Sequence, residues 1–252
     1  TAENPLEVPG RSLAMTLAGH IDTVFVLCVL KDGRLASGSK DKTIKIWKTE
    51  TGLCVLNLTD HNRWVTALCV LGDGRVASGS GDETIKIWNT VTGQCDLTLT
   101  GHSGWVKTLC VLGDGRVASG SGDETIKIWN TETGQCNLTL SGHTGWVTAI
   151  CVVGDGRVAS GKTIKIWNTG TGQCNLTITG HNRGVTALCK VRDGLVASGS
   201  YDKTIKIWNT EAGLWTGQCN LTLTGHSRGV YALCVLGDGR MASGSEDKTI
   251  KI

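Results

Sequence analysis

Residues 92–130 read TGQCDLTLTGHSGWVKTLCVLGDGRVASGSGDETIKIWN, and their pattern decides the fold. Four short runs of small, apolar and β-branched residues are separated by turn residues, which is the period of strands and not of helices. In chain order we label the runs d, a, b and c. Run a, Val106 to Leu112, ends in Gly113, Asp114 and Gly115, a turn signal that leads into run b as a hairpin. Run b is built of small residues such as Ala118 and Ser119. Run c, Thr125 to Trp129, alternates in polarity, and the following TETG turns the chain into the next run d.

The unit recurs along the chain. All six histidines fall on one position of it, His20, His61, His102, His143, His181 and His226, with spacings of 41, 41, 41, 38 and 45 residues. Each except His61 follows a glycine; Asp60 stands there instead. Such self-similarity marks a repeat architecture. Composition agrees with a folded chain: 252 residues, 40% hydrophobic, with glycines spread evenly and both prolines, Pro5 and Pro9, in the first ten positions. The longest apolar run, Val24 to Leu30, is far too short to span a bilayer, and no basic, apolar leader opens the sequence. A net charge of +3 is too small to argue for nucleic acid or an acidic membrane as partner.

A period near 41, a Gly-His pair at one end of each unit, a Trp at the other and four strands between them resemble the WD-repeat (WD40) family over residues 11–252. One departure is uniform, because the residue after the Trp is Lys48, Asn89, Asn130, Asn168 or Asn209 and never aspartate. The resemblance implies an all-β fold, a β-propeller of six four-stranded antiparallel blades. Repeats begin near residues 19, 60, 101, 142, 180 and 225, and residues 1–10 form an N-terminal extension. Residues 11–18 have the look of a d strand without its own a, b and c strands, and the last copy lacks a d strand. The expectation is that they pair and close the ring, which would remove exposed sheet edges. The chain stops one residue short of the next expected Trp and begins with Thr, so a longer parent is expected.

Each copy contains Ser, His and Asp, the ingredients of a hydrolase triad. The resemblance implies instead a structural hydrogen-bond tetrad with the Trp. Copy by copy these are His20, Ser37, Asp41 and Trp47; His61, Ser78, Asp82 and Trp88; His102, Ser119, Asp123 and Trp129; and His181, Ser198, Asp202 and Trp208. The fourth copy, His143, Ser160 and Trp167, has lost three residues and with them its aspartate. The sixth, His226, Ser243 and Asp247, has no Trp within the chain. These two blades are expected to be the least stable.

Cysteine recurs at one position of run a (Cys28, Cys69, Cys110, Cys151, Cys189, Cys234) and one of run d (Cys54, Cys95, Cys136, Cys174, Cys219). The propeller separates the two sets too widely for disulfides, so they are read as buried free thiols in a reducing, intracellular compartment rather than metal ligands. No cofactor is implied. The NLT sequons at Asn57, Asn137, Asn175 and Asn220 lie on run d and are read as polar rim positions.

What breaks the repeat is where function is sought. Trp64, Trp105 and Trp146 stand three places after the histidine in consecutive copies, Phe25 and Tyr231 five places after it, and Tyr201 just before Asp202. In a propeller all three positions border one "top" face, together with Lys40, Arg63, Lys107, Arg183 and Arg228. Aromatics with cations suit an interaction surface for a peptide or protein, with acidic partners favoured. The bland alternative is that the three Trp merely cover the tetrads. A second functional reading has them stacking RNA bases. The expected molecule is a monomeric, non-catalytic scaffold, and Trp215, in an insertion of the fifth copy on the opposite face, is read as part of a tolerated loop insertion, with a second contact as the alternative.

Overall fold

The computed structural model describes residues 15–210 and 217–252. Twenty-three strands form six sheets. Blade one is β1 (Val24–Val29), β2 (Leu35–Ser39), β3 (Ile44–Trp47) and β4 (Cys54–Leu58). Blade two is β5 (Val65–Val70), β6 (Val76–Ser80), β7 (Ile85–Trp88) and β8 (Cys95–Leu99), and blade three is β9 (Val106–Val111), β10 (Val117–Ser121), β11 (Ile126–Trp129) and β12 (Cys136–Leu140). Blade four is β13 (Ile150–Gly154), β14 (Arg157–Ser160), β15 (Ile164–Asn168) and β16 (Cys174–Ile178), and blade five is β17 (Val185–Arg192), β18 (Leu195–Ser200), β19 (Ile205–Asn209) and β20 (Cys219–Leu223). Blade six has β21 (Val230–Val235), β22 (Met241–Ser245) and the two-residue β23 (Ile250–Lys251). Five sheets are four-stranded antiparallel meanders in the order a-b-c-d, and the sixth has three strands.

The sequence unit d-a-b-c is therefore staggered against the sheet, each unit lending its first strand to the preceding blade. Small residues on run b let successive blades approach. A Cβ on Gly38, Gly79, Gly120 or Gly199 would stand 2.5 to 2.7 Å from a methyl of Val65, Val106, Val147 or Val230 in the next blade. The alternating Ile residues of run c fill the same space, giving apolar cores between blades one and two, two and three, three and four, four and five, and five and six. Arginines on the a–b turns lock the end opposite the Gly-His loops. Arg34, Arg116 and Arg157 donate to the carbonyls of Thr90, Thr169 and Thr210 in the following blade, and Arg75 pairs with Glu132 at 2.7 Å.

The sixth junction differs. Among the described residues no ladder joins residues 15–18 to β23, so the expected closing pair is not observed; residues 11–14 lie outside the described set. Met15 and Leu17 nevertheless lie against Gly52 as Leu56 and Leu58 lie against Gly93, the position of a preceding blade's d strand. What is missing is the far side. Val24 is 43% exposed where Val65, Val106 and Val147 are fully buried, and Ile250 is 75% exposed where Ile44 is buried.

The cysteines require a correction. All eleven are free, but the run d thiols Cys54, Cys136, Cys174 and Cys219, along with Cys234 of run a, are exposed rather than buried. Run d is the outermost strand, where alternate side chains meet solvent, and the Cys54 thiol donates to the Leu56 carbonyl at 3.2 Å. The remaining run a thiols are half-buried, and burial pushes Cys69 up to about 12.

Candidate interaction surface

The antiparallel meander puts the d–a and b–c connections of every blade at one end of the molecule. Within each blade a hydrogen-bond chain runs inward from that end. The Trp129 indole donates to Ser119 Oγ (2.8 Å), the Ser119 hydroxyl meets His102 Nε2 (2.7 Å), and His102 Nδ1 meets Asp123 Oδ2 (2.7 Å). Since the hydroxyl donates to Nε2, the ring proton sits on Nδ1. Blades one, two and five repeat this with Trp47, Trp88 and Trp208. Blade six keeps His226, Ser243 and Asp247 in contact.

Asp123 also organises the b–c turn. Its second oxygen accepts from the N–H and hydroxyl of Thr125, spanning Glu124, which is held at φ 69°. Lys42, Glu83, Lys203 and Lys248 adopt the same left-handed conformation in their blades. Burial pushes the Asp123 carboxyl up, but hydrogen bonds from Thr125 and His102 outweigh it and hold the group at about 2. The six serines that meet the histidines are all buried, so none is presented to a substrate as a nucleophile.

Above these chains the aromatic residues form a band. Phe25 lies 5.7 Å from Trp64, and Trp64 5.2 Å edge-on from Trp105. The Lys107 ammonium sits between Trp105 and Trp146, 4.3 and 4.7 Å from their ring centroids, and Lys40 lies 5.2 Å from Trp64. On the far side Tyr201 and Tyr231 meet edge to face at 5.4 Å. Trp105 rests on Gly81 and Trp146 on Gly122, each on the b–c turn of the preceding blade and next to that blade's tetrad aspartate. Trp64 and Trp105 are half-buried, whereas Trp146 is 56% exposed.

The candidate cations do not behave alike. Arg228 pairs with Glu246 at 3.2 Å and Lys40 lies 3.6 Å from Asp22, both pairings unforeseen because their partners sit in neighbouring loops. Burial lowers the Lys107 ammonium below its usual range. Arg63, Lys107 and Arg183 make no ion pair among the described residues. Trp215 lies outside the described residues.

Six stretches, residues 11–48, 52–89, 93–130, 134–168, 172–209 and 217–252, match the family profile described as WD domain, G-beta repeat. The chain belongs to this family, whose propellers generally mediate protein–protein interaction and are generally non-catalytic scaffolds. A comparison with curated proteins finds no match. No helix among the described residues is long and apolar enough to cross a membrane.

Proposed function

We propose that this propeller is a non-catalytic scaffold that docks a peptide or protein segment across the face bearing its d–a and b–c connections. The observation that carries the reading is the band Phe25, Trp64, Trp105, Lys107 and Trp146, with the Tyr201–Tyr231 pair across the same face. Every described aromatic outside the tetrads belongs to the band or to that pair, and exposed Trp and Tyr beside cations are the residue types that dominate binding energy at interfaces. Arg63, Lys107 and Arg183, with no ion pair among the described residues, favour an acidic segment. The domain acts as a monomer, and its eleven free thiols fit an intracellular setting. Base stacking is less well served, since Lys40 and Lys107 already lie against the Trp rings.

Selection from a displayed random-peptide library tests this. Peptides recovered on the unaltered chain should be enriched in Asp and Glu and should lose binding to a Trp146→Ala, Tyr201→Ala, Tyr231→Ala variant that melts normally. Peptides indifferent to those changes would refute the assignment of the face.

A further inference from the structure

Five blades close their b–c connection with a carboxylate, and blade four does not. In blade three one Asp123 oxygen accepts from His102 Nδ1 and the Ser103 N–H, the other from the N–H and hydroxyl of Thr125. Asp41, Asp82, Asp202 and Asp247 make the same set. In blade four, Gly161-Lys162-Thr163 replaces the longer turn, and the corresponding donors are His143 Nδ1 and the groups of Thr144 and Thr163. The Trp167 indole still donates to Ser160 Oγ (2.8 Å), and Ser160 still meets His143 Nε2 (3.0 Å); with the hydroxyl donating to Nε2 as in blade three, the ring proton is on Nδ1. His143 is only 7% exposed as a residue, and its Nδ1, which meets no acceptor among the described residues, reaches solvent. A carboxylate there would replace water with a charged acceptor, the stronger kind of hydrogen bond.

The chain itself cannot supply it from position 161. Gly161 has φ +93°, and a Cβ there would stand 2.1 Å from His143 Cε1. The short turn instead opens a cavity of about 330 Å³ lined by His143, Thr144, Lys162, Thr163 and Lys165. A second, of about 560 Å³, adjoins it between blades four and five, lined by Lys162, Asn182, Arg183 and Tyr201. No acidic residue among those described lines either cavity. The Lys162 side chain lies against Gly145 and Gly184, so it borders both, and it has no ion pair among the described residues.

We propose that blade four binds a carboxylate between His143 Nδ1, Thr144, Thr163 and Lys162, and that the carboxylate belongs to an Asp or Glu of a segment docked on the top face. Only the second clause rests on the function proposed above. The site is the tetrad position of the other blades with its acid supplied from outside.

The test uses the whole chain labelled with ¹⁵N-histidine, titrated at constant ionic strength with acetate, N-acetylglutamate methylamide or N-acetylglutamine methylamide. The carboxylates should shift the His143 ring signals saturably and leave the other five histidines in place, and the glutamine compound should do nothing. Lys162→Gln should weaken binding roughly tenfold, the loss of one charge-assisted contact. Reinserting Ser-Gly-Asp between Gly161 and Lys162 should abolish the shift while the melting temperature stays the same or rises. No shift at His143, an equal response to the glutamine compound, or tighter binding of inorganic phosphate than of acetate would overturn the carboxylate site. A hexaglutamate peptide that binds more tightly than acetate and loses that margin in Trp146→Ala supports the docking segment as source. A hexaglutamate peptide no tighter than acetate would overturn that clause alone.

Discussion

Val147 presses its Cγ1 on Gly120 of the preceding blade so closely that a Cβ on the glycine would stand 2.5 Å away. The contact recurs at Gly38, Gly79 and Gly199, and it is how one blade fixes the distance to the next. At Gly244 only Ala232 of the same blade is near among the described residues, at 3.6 Å. Gly79→Ala and Gly120→Ala should therefore each cost about 1–3 kcal/mol by overpacking, while Gly244→Ala should be nearly neutral. Chemical denaturation of the three variants checks the contrast, and equal losses would contradict the open sixth junction.

Ser119→Ala removes the acceptor of the buried Trp129 indole and the donor to His102 together. The stranded groups should lower stability by about 1–3 kcal/mol. Ser160→Ala should cost less, because the chain from Trp167 already ends at His143. Thermal melts of the pair report the difference.

Acid should weaken the blades in sequence. Burial, with a smaller effect of Lys165, lowers His143 from 6.5 to about 4, so its neutral form contributes stability in full above 6.5 that is lost as pH falls towards 4. Asp123 and Asp202, lowered from 3.8 to about 2, contribute above 3.8 and lose that contribution only as pH falls through 2. Hydrogen exchange at about pH 5 should show blade four opening before blade three. The reverse order would contradict this reading of His143.

Lys107 occupies a position that is threonine in blades two, four and five, where the hydroxyl donates to the next blade, as Thr148 does to Val185 at 3.0 Å. Thr66 and Thr186 bond Val106 and Val230 in the same way. Lys107→Thr should restore such a bond and stabilise the domain by about 0.5–1.5 kcal/mol, while weakening partner binding. Melting and peptide binding measured on one variant separate the two effects.

Much of this was legible because the repeat is nearly perfect. The period, the runs d, a, b and c, and the positions of His, Ser, Asp and Trp follow from turn residues and alternation in a single unit such as 92–130, and six copies average out local accidents. What was not legible depends on contacts between copies. Pattern places Val24 and Val65 alike, and only their neighbours distinguish a half-exposed residue from a buried one. The three-residue loss in blade four was visible, yet the cavities beside Lys162 were not, since the larger one takes part of its wall from blade five. Likewise Arg228 and Lys40 looked free until Glu246 and Asp22 were seen beside them.

The central claim is that partners dock on the aromatic face. Affinity capture from a lysate of the source organism tests it most directly, comparing the unaltered chain, the Trp146→Ala, Tyr201→Ala, Tyr231→Ala variant and a Val91→Asp variant at the opposite end, all checked for folding. The account predicts a protein held by the first and third and lost from the second. A protein lost only with Val91→Asp, or held equally by all three, would contradict it.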